Sequence, residues 1–203
     1  MFDKTNVIYP FKVGNLLNIF LIDGRGLIVS GTFPKKYFLG NGVTLPEAVH
    51  KFLIRKKLSL ACAESCTGGG VASAITDIPG SSQWFHTGFV TYANQSKQQL
   101  LGVDLEILSQ QGAVSKAVVE RMALGALKAS DANIAVAVSG VAGPGGGSED
   151  KPVGLVWFCW VKSGSNENVI VESQSFQFDG DRSEIRFAAI QQALLGLIAI
   201  LKK

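Results

Sequence analysis

The feature that most constrains the fold is an apolar run that leads directly into a glycine turn and then into a helical pattern. Residues 60–70 read LACAESCTGGG, in which small apolar side chains give way to Ser65, Cys66 and Thr67 and then to three glycines. The next segment, GVASAITDI, has the character of a helix and ends at a PGSS loop. This order predicts a buried strand, a tight turn and a helix.

The same alternation continues to the end of the chain. Further helices are predicted at TLPEAVHKFLIRKK, NQSKQQLLG, VDLEILSQQG, SKAVVERMALGALKAS and DRSEIRFAAIQQALLGLIAILKK. Strands are predicted at WFHTGFVTY and NIAVAVSG, and an antiparallel pair at VGLVWFCWV and VIVESQSFQF. We therefore predict an α/β fold whose sheet is covered by helices on both faces.

Length and composition predict one domain. The chain has 203 residues, of which 47% are hydrophobic and 17% charged, enough for one sizeable core. We assign this domain to residues 44–203. Residues 1–43 are rich in glycine, carry short β-rich runs such as GLIVSGTF and have no helical period. We interpret them as an N-terminal extension, either a peripheral addition or a region upstream of the true start.

Composition also argues against several classes of function. The net charge of +3 comes from 19 basic and 16 acidic residues with no dense basic run, so we expect no nucleic-acid binding. LLNIFLI is too short to span a bilayer and lacks a basic leader, so we expect neither export nor a membrane partner. The three cysteines form no CxxC pair and the two histidines lie far apart, which predicts a cytoplasmic protein without a metal site.

Two predicted strand ends, AESCTGGG and VSGVAGPGGG, carry glycines and hydroxyl groups. Ligands of α/β sheets gather where strands end and helices begin, so both ends can face one pocket. At the first, Ser65 can attack a carbonyl carbon while the amides of Cys66 to Gly68 stabilise the oxyanion. The sequence therefore predicts a nucleophilic serine at this turn.

A serine nucleophile needs a base, and the sequence offers two kinds. Neither His50 nor His86 has an evident local partner for a triad. Lys97 lies in the first turn of a predicted helix, where the helix dipole lowers the pKa of an ammonium. Tyr92 can bond the lysine or the serine, and Asn94 can cap the helix. The alternative is that Lys97 is a solvated surface lysine and Tyr92 an ordinary strand aromatic.

Three further features each have two interpretations. Cys66, at a predicted helix start, is either a rival nucleophile or a small packed residue. The loop SGVAGPGGGSEDKP either cradles a phosphate with its amides or simply connects two strands, and it lacks the GK[ST] ending of a P-loop. Arg182 either binds a phosphate or pairs with a nearby carboxylate on Asp179, Asp181 or Glu184.

A resemblance to a known family rests on AESCTGG, ITDIPGSSQWFHTGFVTYANQSK, LGV, GAVS, MALGALKAS and SGVAGPGGGSEDKPVGLVWF. In this order and spacing, from about residue 45 to the end, the chain resembles the CinA C-terminal domain family. The resemblance implies a three-layer α/β/α sandwich with a mixed sheet. It also implies hydrolysis of the carboxamide of nicotinamide mononucleotide to nicotinate mononucleotide and ammonia, in pyridine nucleotide recycling and without a metal or cofactor. The alternative is a non-catalytic nucleotide-binding or competence- or damage-associated module of the same fold.

Matched by motif, the resemblance implies a role for several residues. Ser65 matches the family nucleophile, Lys97 its general base and Tyr92 the tyrosine that supports this dyad. Arg182 matches a substrate-binding arginine for the phosphate, and Ser139 stands where many relatives have threonine in TGIAGP. The other predicted substrate-binding residues are Cys66, Thr67, Gly68, Asn94 and Gly140.

The resemblance also implies a homo-oligomer. The terminal helix, rich in leucine and isoleucine from Ala188 to Leu201, carries more apolar surface than one core face needs. We expect part of it to meet another subunit.

Overall fold

The computed structural model describes residues 8–13, 16–21, 37, 42–164 and 168–203. The chain divides into two compact units, Met1–Leu45 and Pro46–Lys203. In the first unit, strands β1 (Ile8–Val13) and β2 (Leu16–Leu21) pair antiparallel. The apolar run near the start of the chain is therefore a strand. The predicted β-rich run GLIVSGTF lies outside the described residues.

The rest of the described chain alternates helices with strands. The helices are α1 (Leu45–Lys56), α2 (Gly70–Thr76), α3 (Asn94–Leu101), α4 (Leu105–Gln111), α5 (Lys116–Ser130) and α6 (Arg182–Leu201), with a 3₁₀ turn at Ser81–Gln83. The strands are β3 (Leu60–Glu64), β4 (Phe85–Val90), β5 (Ile134–Gly140), β6 (Leu155–Ser163) and β7 (Val169–Gln177). Each predicted helix and strand of this part is present.

These five strands form one mixed sheet in the order β4-β3-β5-β6-β7. Strand β3 pairs parallel with both β4 and β5, whereas β6 and β7 continue the sheet antiparallel. Glu64, the last residue of β3, lies beside Val90 on one side and Val138 on the other. The carboxyl ends of three neighbouring strands therefore meet at one edge of the sheet.

Helices cover both faces of this sheet, because alternate residues of a strand point to opposite sides. On β6, Cys159 and Val161 join the buried cluster of α5, whereas Trp160 donates its indole N–H to the Ala193 carbonyl of α6 at 2.9 Å. Gly196 permits this close approach, since a Cβ there would collide with the Trp160 indole. The predicted α/β/α arrangement with a mixed sheet is confirmed.

Helix α6 is long and apolar enough to cross a membrane by length and composition alone. Ala189, Ala193, Leu194 and Leu197 are fully buried inside the chain, on the side that packs on the sheet and its neighbours. Half of its most apolar window is buried inside the chain.

Candidate active site

The turn that follows β3 places Ser65 at the edge where the three strand ends meet. The Ser65 amide donates to the Val138 carbonyl at 2.9 Å, so the residue still belongs to the sheet on its main-chain side. One residue later the chain leaves the sheet and turns towards α2. Ser65 is thus held by a rigid strand while its side chain faces the loops at the strand ends.

The start of α2 is capped by the carboxylate of Glu64, which is 1% exposed. One oxygen accepts from the amides of Gly69 and Val71 at 3.0 Å each, and the other accepts from the Ala72 amide at 2.8 Å. Three amides that a helix start leaves unbonded are satisfied in this way. The carboxylate therefore fixes α2 against the end of β3 and sets the shape of the turn between them.

The three glycines of this turn have separate causes. Gly69 has φ +91°, a backbone conformation that other residues rarely adopt. A Cβ on Gly70 would collide with the Ile190 side chain of α6, and a Cβ on Gly68 would meet the Arg186 guanidinium at 3.4 Å. Gly70 therefore allows the turn to lie directly against α6, whereas Gly68, at φ +59°, and Gly69 allow its left-handed backbone.

Lys97 of α3 is fully buried, and its amine reaches Ser65. The Lys97 Nζ lies 3.2 Å from the Ser65 Oγ, 2.7 Å from the Thr91 carbonyl oxygen and 3.2 Å from the Tyr92 carbonyl oxygen. Burial lowers the pKa of Lys97 from its ordinary value of about 10.5, because the charged form loses its hydration. The alternative of a solvated surface lysine is wrong.

The three oxygens around this amine can accept hydrogen bonds from either protonation state, and burial shifts the amine towards its neutral form. A neutral amine has two hydrogens and one lone pair, and the two carbonyls can only accept hydrogen bonds. When they take the two hydrogens, the lone pair is directed at the third neighbour, the Ser65 hydroxyl. The arrangement can therefore remove a proton from Ser65.

Both histidines lie at the opposite edge of the sheet from Ser65. His86 is the second residue of β4, is exposed, and has its Nδ1 3.3 Å from the Ser130 carbonyl oxygen. The His50 ring packs against Trp84, whose carbonyl accepts from the first residue of β3, Leu60. A histidine-based triad with Ser65 is therefore wrong.

Cys66 is 6% exposed, and burial raises the pKa of its thiol to about 12. The amides of Cys66 and Thr67 act in the opposite direction on this thiol, with a smaller effect. A buried thiol in its protonated form is a poor nucleophile at neutral pH. The geometry therefore favours Ser65 over Cys66 as the nucleophile.

Tyr92 and Arg182 meet at the rim of the site. The Tyr92 side chain is 60% exposed, and its hydroxyl accepts from the Arg182 guanidinium at 3.0 Å rather than bonding Lys97 or Ser65. A second nitrogen of Arg182 donates to the Gly143 carbonyl of the glycine-rich loop at 2.8 Å. Asp181 and Glu184, two carboxylates considered as partners of Arg182, form the capping box of α6.

Ser139, Gly140 and Asn94, also predicted to bind substrate, lie at the end of β5 and the start of α3 around the same edge. Ser139 is buried at the end of β5, followed there by Gly140, and its hydroxyl donates to the Ala113 carbonyl at 2.7 Å. Asn94 is the first residue of α3, but the N-cap is Ala93 with no side-chain bond, so the predicted asparagine cap is wrong. Ala93 has an extended backbone, with φ −79° and ψ 151°, and therefore occupies the capping position instead of Asn94.

Two buried threonine hydroxyls at this edge have no hydrogen-bond partner among the described residues. They belong to Thr67, predicted as a substrate-binding residue, and to Thr91, whose carbonyl accepts from Lys97. Buried hydroxyls are normally bonded, so these two are available to a bound molecule or to water.

Two residues of the site were not predicted from the sequence, Glu64 and Arg186. Arg186 lies one helical turn after Arg182 and donates to the carbonyls of Cys66 at 3.1 Å and Thr67 at 2.7 Å. The spacing of four residues on α6 is the signal that places both arginines on one face. For Glu64, the signal is an acidic residue at the end of an otherwise apolar strand, before a turn without another capping side chain.

The site holds no cluster that fits a metal ion. Across the described ranges, no group of three or more histidine, cysteine, aspartate or glutamate side chains could bind one. Two surface depressions of about 380 and 400 Å³ are lined by other residues, at β7 and at the start of β3. The Ser65–Lys97 pair is distinguished by its hydrogen bonds and by the burial of the amine.

Comparison with known proteins places this geometry in a family. The sequence pattern of the CinA C-terminal domain matches residues 43–201. The chain belongs to the CinA C-terminal domain family. The family match contains the whole five-stranded sheet and every residue of the candidate site.

Two curated relatives of this family member carry the same name, nicotinamide-nucleotide amidohydrolase PncC. The protein from Pseudomonas putida is 50% identical over 157 residues, which cover 77% of this chain and 95% of the relative. The protein from Escherichia coli strain K12 is 51% identical over 150 residues, which cover 74% and 88%. A solved structure of the competence/damage inducible protein CihA from Agrobacterium tumefaciens has a TM-score of 0.71 and 44% identity, covering 82% of this chain and 98% of its own.

Proposed function

We propose that this family member hydrolyses the carboxamide of nicotinamide mononucleotide to nicotinate mononucleotide and ammonia, with Ser65 as nucleophile and Lys97 as general base. The observation that carries the proposal is the fully buried Lys97 amine, 3.2 Å from the Ser65 hydroxyl and bonded otherwise to two main-chain carbonyls. The name shared by the two relatives supports the choice of substrate. We place the reaction in pyridine nucleotide recycling in the cytoplasm, where the three free, buried cysteines stay reduced.

The first half of the reaction forms an acyl-enzyme. Neutral Lys97 takes the Ser65 proton as the serine oxygen attacks the carboxamide carbon, and the carbonyl oxygen becomes an oxyanion. The Lys97 ammonium then gives its proton to the amide nitrogen, the carbon–nitrogen bond breaks, and ammonia leaves. The resulting intermediate is an ester between the Ser65 oxygen and the carboxyl carbon of nicotinate mononucleotide.

The second half returns the enzyme to its starting state. Lys97, again neutral, takes a proton from a water molecule that attacks the ester carbon. The tetrahedral intermediate collapses, Ser65 regains its proton from Lys97, and nicotinate mononucleotide is released. This cycle consumes one water and needs neither a metal nor an organic cofactor.

The groups around the pair have the polarity that the nucleotide requires. Arg182 at the rim can exchange its contacts with Tyr92 and Gly143 for phosphate oxygens, which prefer a guanidinium fork. Tyr92 then contributes through its hydroxyl at the rim and through its carbonyl on Lys97. Cys66, Thr67, Gly68, Asn94, Ser139 and Gly140 complete the proposed binding surface.

The test is ammonia release from nicotinamide mononucleotide by the purified chain, compared with Ser65→Ala and Lys97→Met. We expect each variant to lose about 10³-fold or more in kcat, because the nucleophile and its base act as one unit. The matched control is Lys116→Met on the exposed start of α5, which should retain full activity. Binding of the nucleotide without ammonia release by the parent chain would favour the non-catalytic module instead.

A further inference from the structure

We propose that Arg186 is a positioning residue that orients the peptide between Cys66 and Thr67 so that its N–H faces the oxyanion of the reaction. The inference rests on the proposed function, since an oxyanion forms only if Ser65 attacks a carbonyl carbon. Arg186 itself does not touch the substrate in this proposal. It acts through the main chain of the turn.

The contacts of Arg186 are specific to this turn. The side chain is half-buried on α6, with its Nε 3.1 Å from the Cys66 carbonyl oxygen and one terminal nitrogen 2.7 Å from the Thr67 carbonyl oxygen. One planar guanidinium thus holds two consecutive carbonyls. Gly68 lies beside it, since a Cβ there would be in ordinary van der Waals contact with the guanidinium at 3.4 Å.

The direction of the amides follows from the planarity of the peptide group. In a trans peptide the C=O and the following N–H point in opposite directions. Because Arg186 binds the Cys66 carbonyl, the Thr67 N–H points away from Arg186. The peptide between Thr67 and Gly68 has the same arrangement. Its carbonyl oxygen, from Thr67, accepts from Arg186, and its N–H, from Gly68, donates to the Ser65 carbonyl at 3.1 Å.

Most amides of the turn are already committed. Gly68 donates to the Ser65 carbonyl, and Gly69 donates to the Glu64 carboxylate at 3.0 Å. The amides of Cys66 and Thr67 bond no carbonyl or carboxylate among the described residues, and both lower the pKa of the Cys66 thiol against the larger effect of burial. A thiol is a weak acceptor, so these two amides are available to an anion at the turn.

The two ends of the turn are therefore held by opposite charges. The Glu64 carboxylate binds amides on the α2 side, and the Arg186 guanidinium binds carbonyls on the α6 side. Oxyanion donors accelerate a reaction only if they are oriented before the charge develops. The Arg186 fork supplies that orientation, and a single ammonium cannot reproduce two bonds in one plane.

The test compares Arg186→Met and Arg186→Lys with the parent chain in two reactions. The first is ammonia release from nicotinamide mononucleotide, giving kcat and KM. The second is acylation of Ser65 by para-nitrophenyl acetate, followed by the nitrophenol burst and located by peptide mass. The matched control is Arg121→Met, an exposed arginine of α5 far along the chain from the turn. Thermal unfolding of every variant identifies any that fails to fold.

We expect Arg186→Met to lower kcat and the acylation rate about 10²-fold, with KM changed less than about threefold. Arg186→Lys should lose at least about tenfold in both rates, because it keeps the charge but not the planar fork. Arg121→Met should match the parent chain in both reactions.

Three results overturn the inference: a lysine variant as fast as the parent chain, a rise in KM alone, or a parent chain that the ester does not acylate at Ser65. A parent chain that is acylated but releases no ammonia contradicts the proposed substrate instead. In that case the acylation rates of the Arg186 variants still decide the role of Arg186.

Discussion

At the scale of single residues, Lys97 is the position where burial and chemistry coincide. An ordinary lysine is protonated at neutral pH and lies in water, whereas this amine is fully buried among two carbonyls and one hydroxyl, none of which carries a charge. None of these three groups has a negative charge that would balance the positive charge of an ammonium, as a carboxylate would. Burial therefore shifts this amine towards its neutral form, the form that a general base requires.

The pH dependence of the proposed reaction follows from the lowered pKa of Lys97. Protonated Lys97 cannot accept the Ser65 proton, so kcat/KM should rise with pH and level off once the amine is neutral. Because burial lowers this pKa, the midpoint should fall below the ordinary value of about 10.5. The measurement is kcat/KM for ammonia release across the pH range in which the protein stays folded. A kcat/KM that falls as the pH increases, or a midpoint at or above the ordinary pKa of lysine, would contradict the role of Lys97.

At the scale of elements, Glu64 shows how the strand–turn–helix unit keeps its shape. Replacing Glu64 with glutamine exchanges one oxygen acceptor for an NH₂ donor, so at least one of the three capped amides loses its partner. An unsatisfied buried donor costs about 1–3 kcal/mol, and we expect Glu64→Gln to lower the free energy of unfolding by this amount. Denaturant unfolding provides the measurement.

The control for this prediction is Glu106→Gln, which changes an exposed glutamate in the first turn of α4. It should alter the unfolding free energy by less than about 0.5 kcal/mol. Equal stabilities of Glu64→Gln and the parent chain would mean that the carboxylate does not hold the turn.

The elements themselves were predictable from the sequence, whereas several contacts between them were not. The period of apolar residues places α5, α6 and the strands near their observed positions, because burial on one face determines that period. The bond between Arg186 and Cys66 joins residues 120 positions apart, and no local pattern encodes such a contact. The bond from Arg182 to the Tyr92 hydroxyl joins residues 90 apart and was missed for the same reason.

The proximity of Ser65 and Lys97 was predictable only in part. Their separation of 32 residues spans one helix and one parallel strand, so both lie at carboxyl ends of neighbouring strands. The complete burial of the Lys97 side chain could not be predicted from the sequence, because it depends on how α3 packs. A glutamate at the end of an apolar strand was also visible in the sequence, but its three amide partners were not.

At the scale of the whole molecule, the sheet order determines which loops can meet. With β3 between β4 and β5, the Ser65 turn lies between the loop that carries Tyr92 and the end of β5 at Ser139. Helix α6 then joins three segments through its two arginines, at the turn, at Tyr92 and at Gly143. Much of the apolar surface of α6, which was expected to meet another subunit, is buried within the chain.

We keep the homo-oligomer as a prediction, with other surfaces as candidate contacts. Large apolar side chains that are 38% to 52% exposed lie on α3, α4 and the edge strand β7 at Leu100, Leu105, Val169, Ile170 and Val171. Exposed apolar patches of this kind often mark subunit contacts. Sedimentation of the purified chain should give a mass of at least two subunits. The substitution Leu100→Lys or Ile170→Lys should lower this mass towards that of one subunit. A monomer at all concentrations would contradict this prediction.

The most direct test of the central claim is to trap the covalent intermediate. The purified chain is mixed with nicotinamide mononucleotide, quenched in acid within one turnover, and digested for mass spectrometry, with Ser65→Ala and Cys66→Ala treated in the same way. We predict an adduct equal to the nucleotide less ammonia on the peptide that contains Ser65, retained in Cys66→Ala and absent in Ser65→Ala. An adduct that disappears in Cys66→Ala, or ammonia release that survives in Ser65→Ala, would contradict the account.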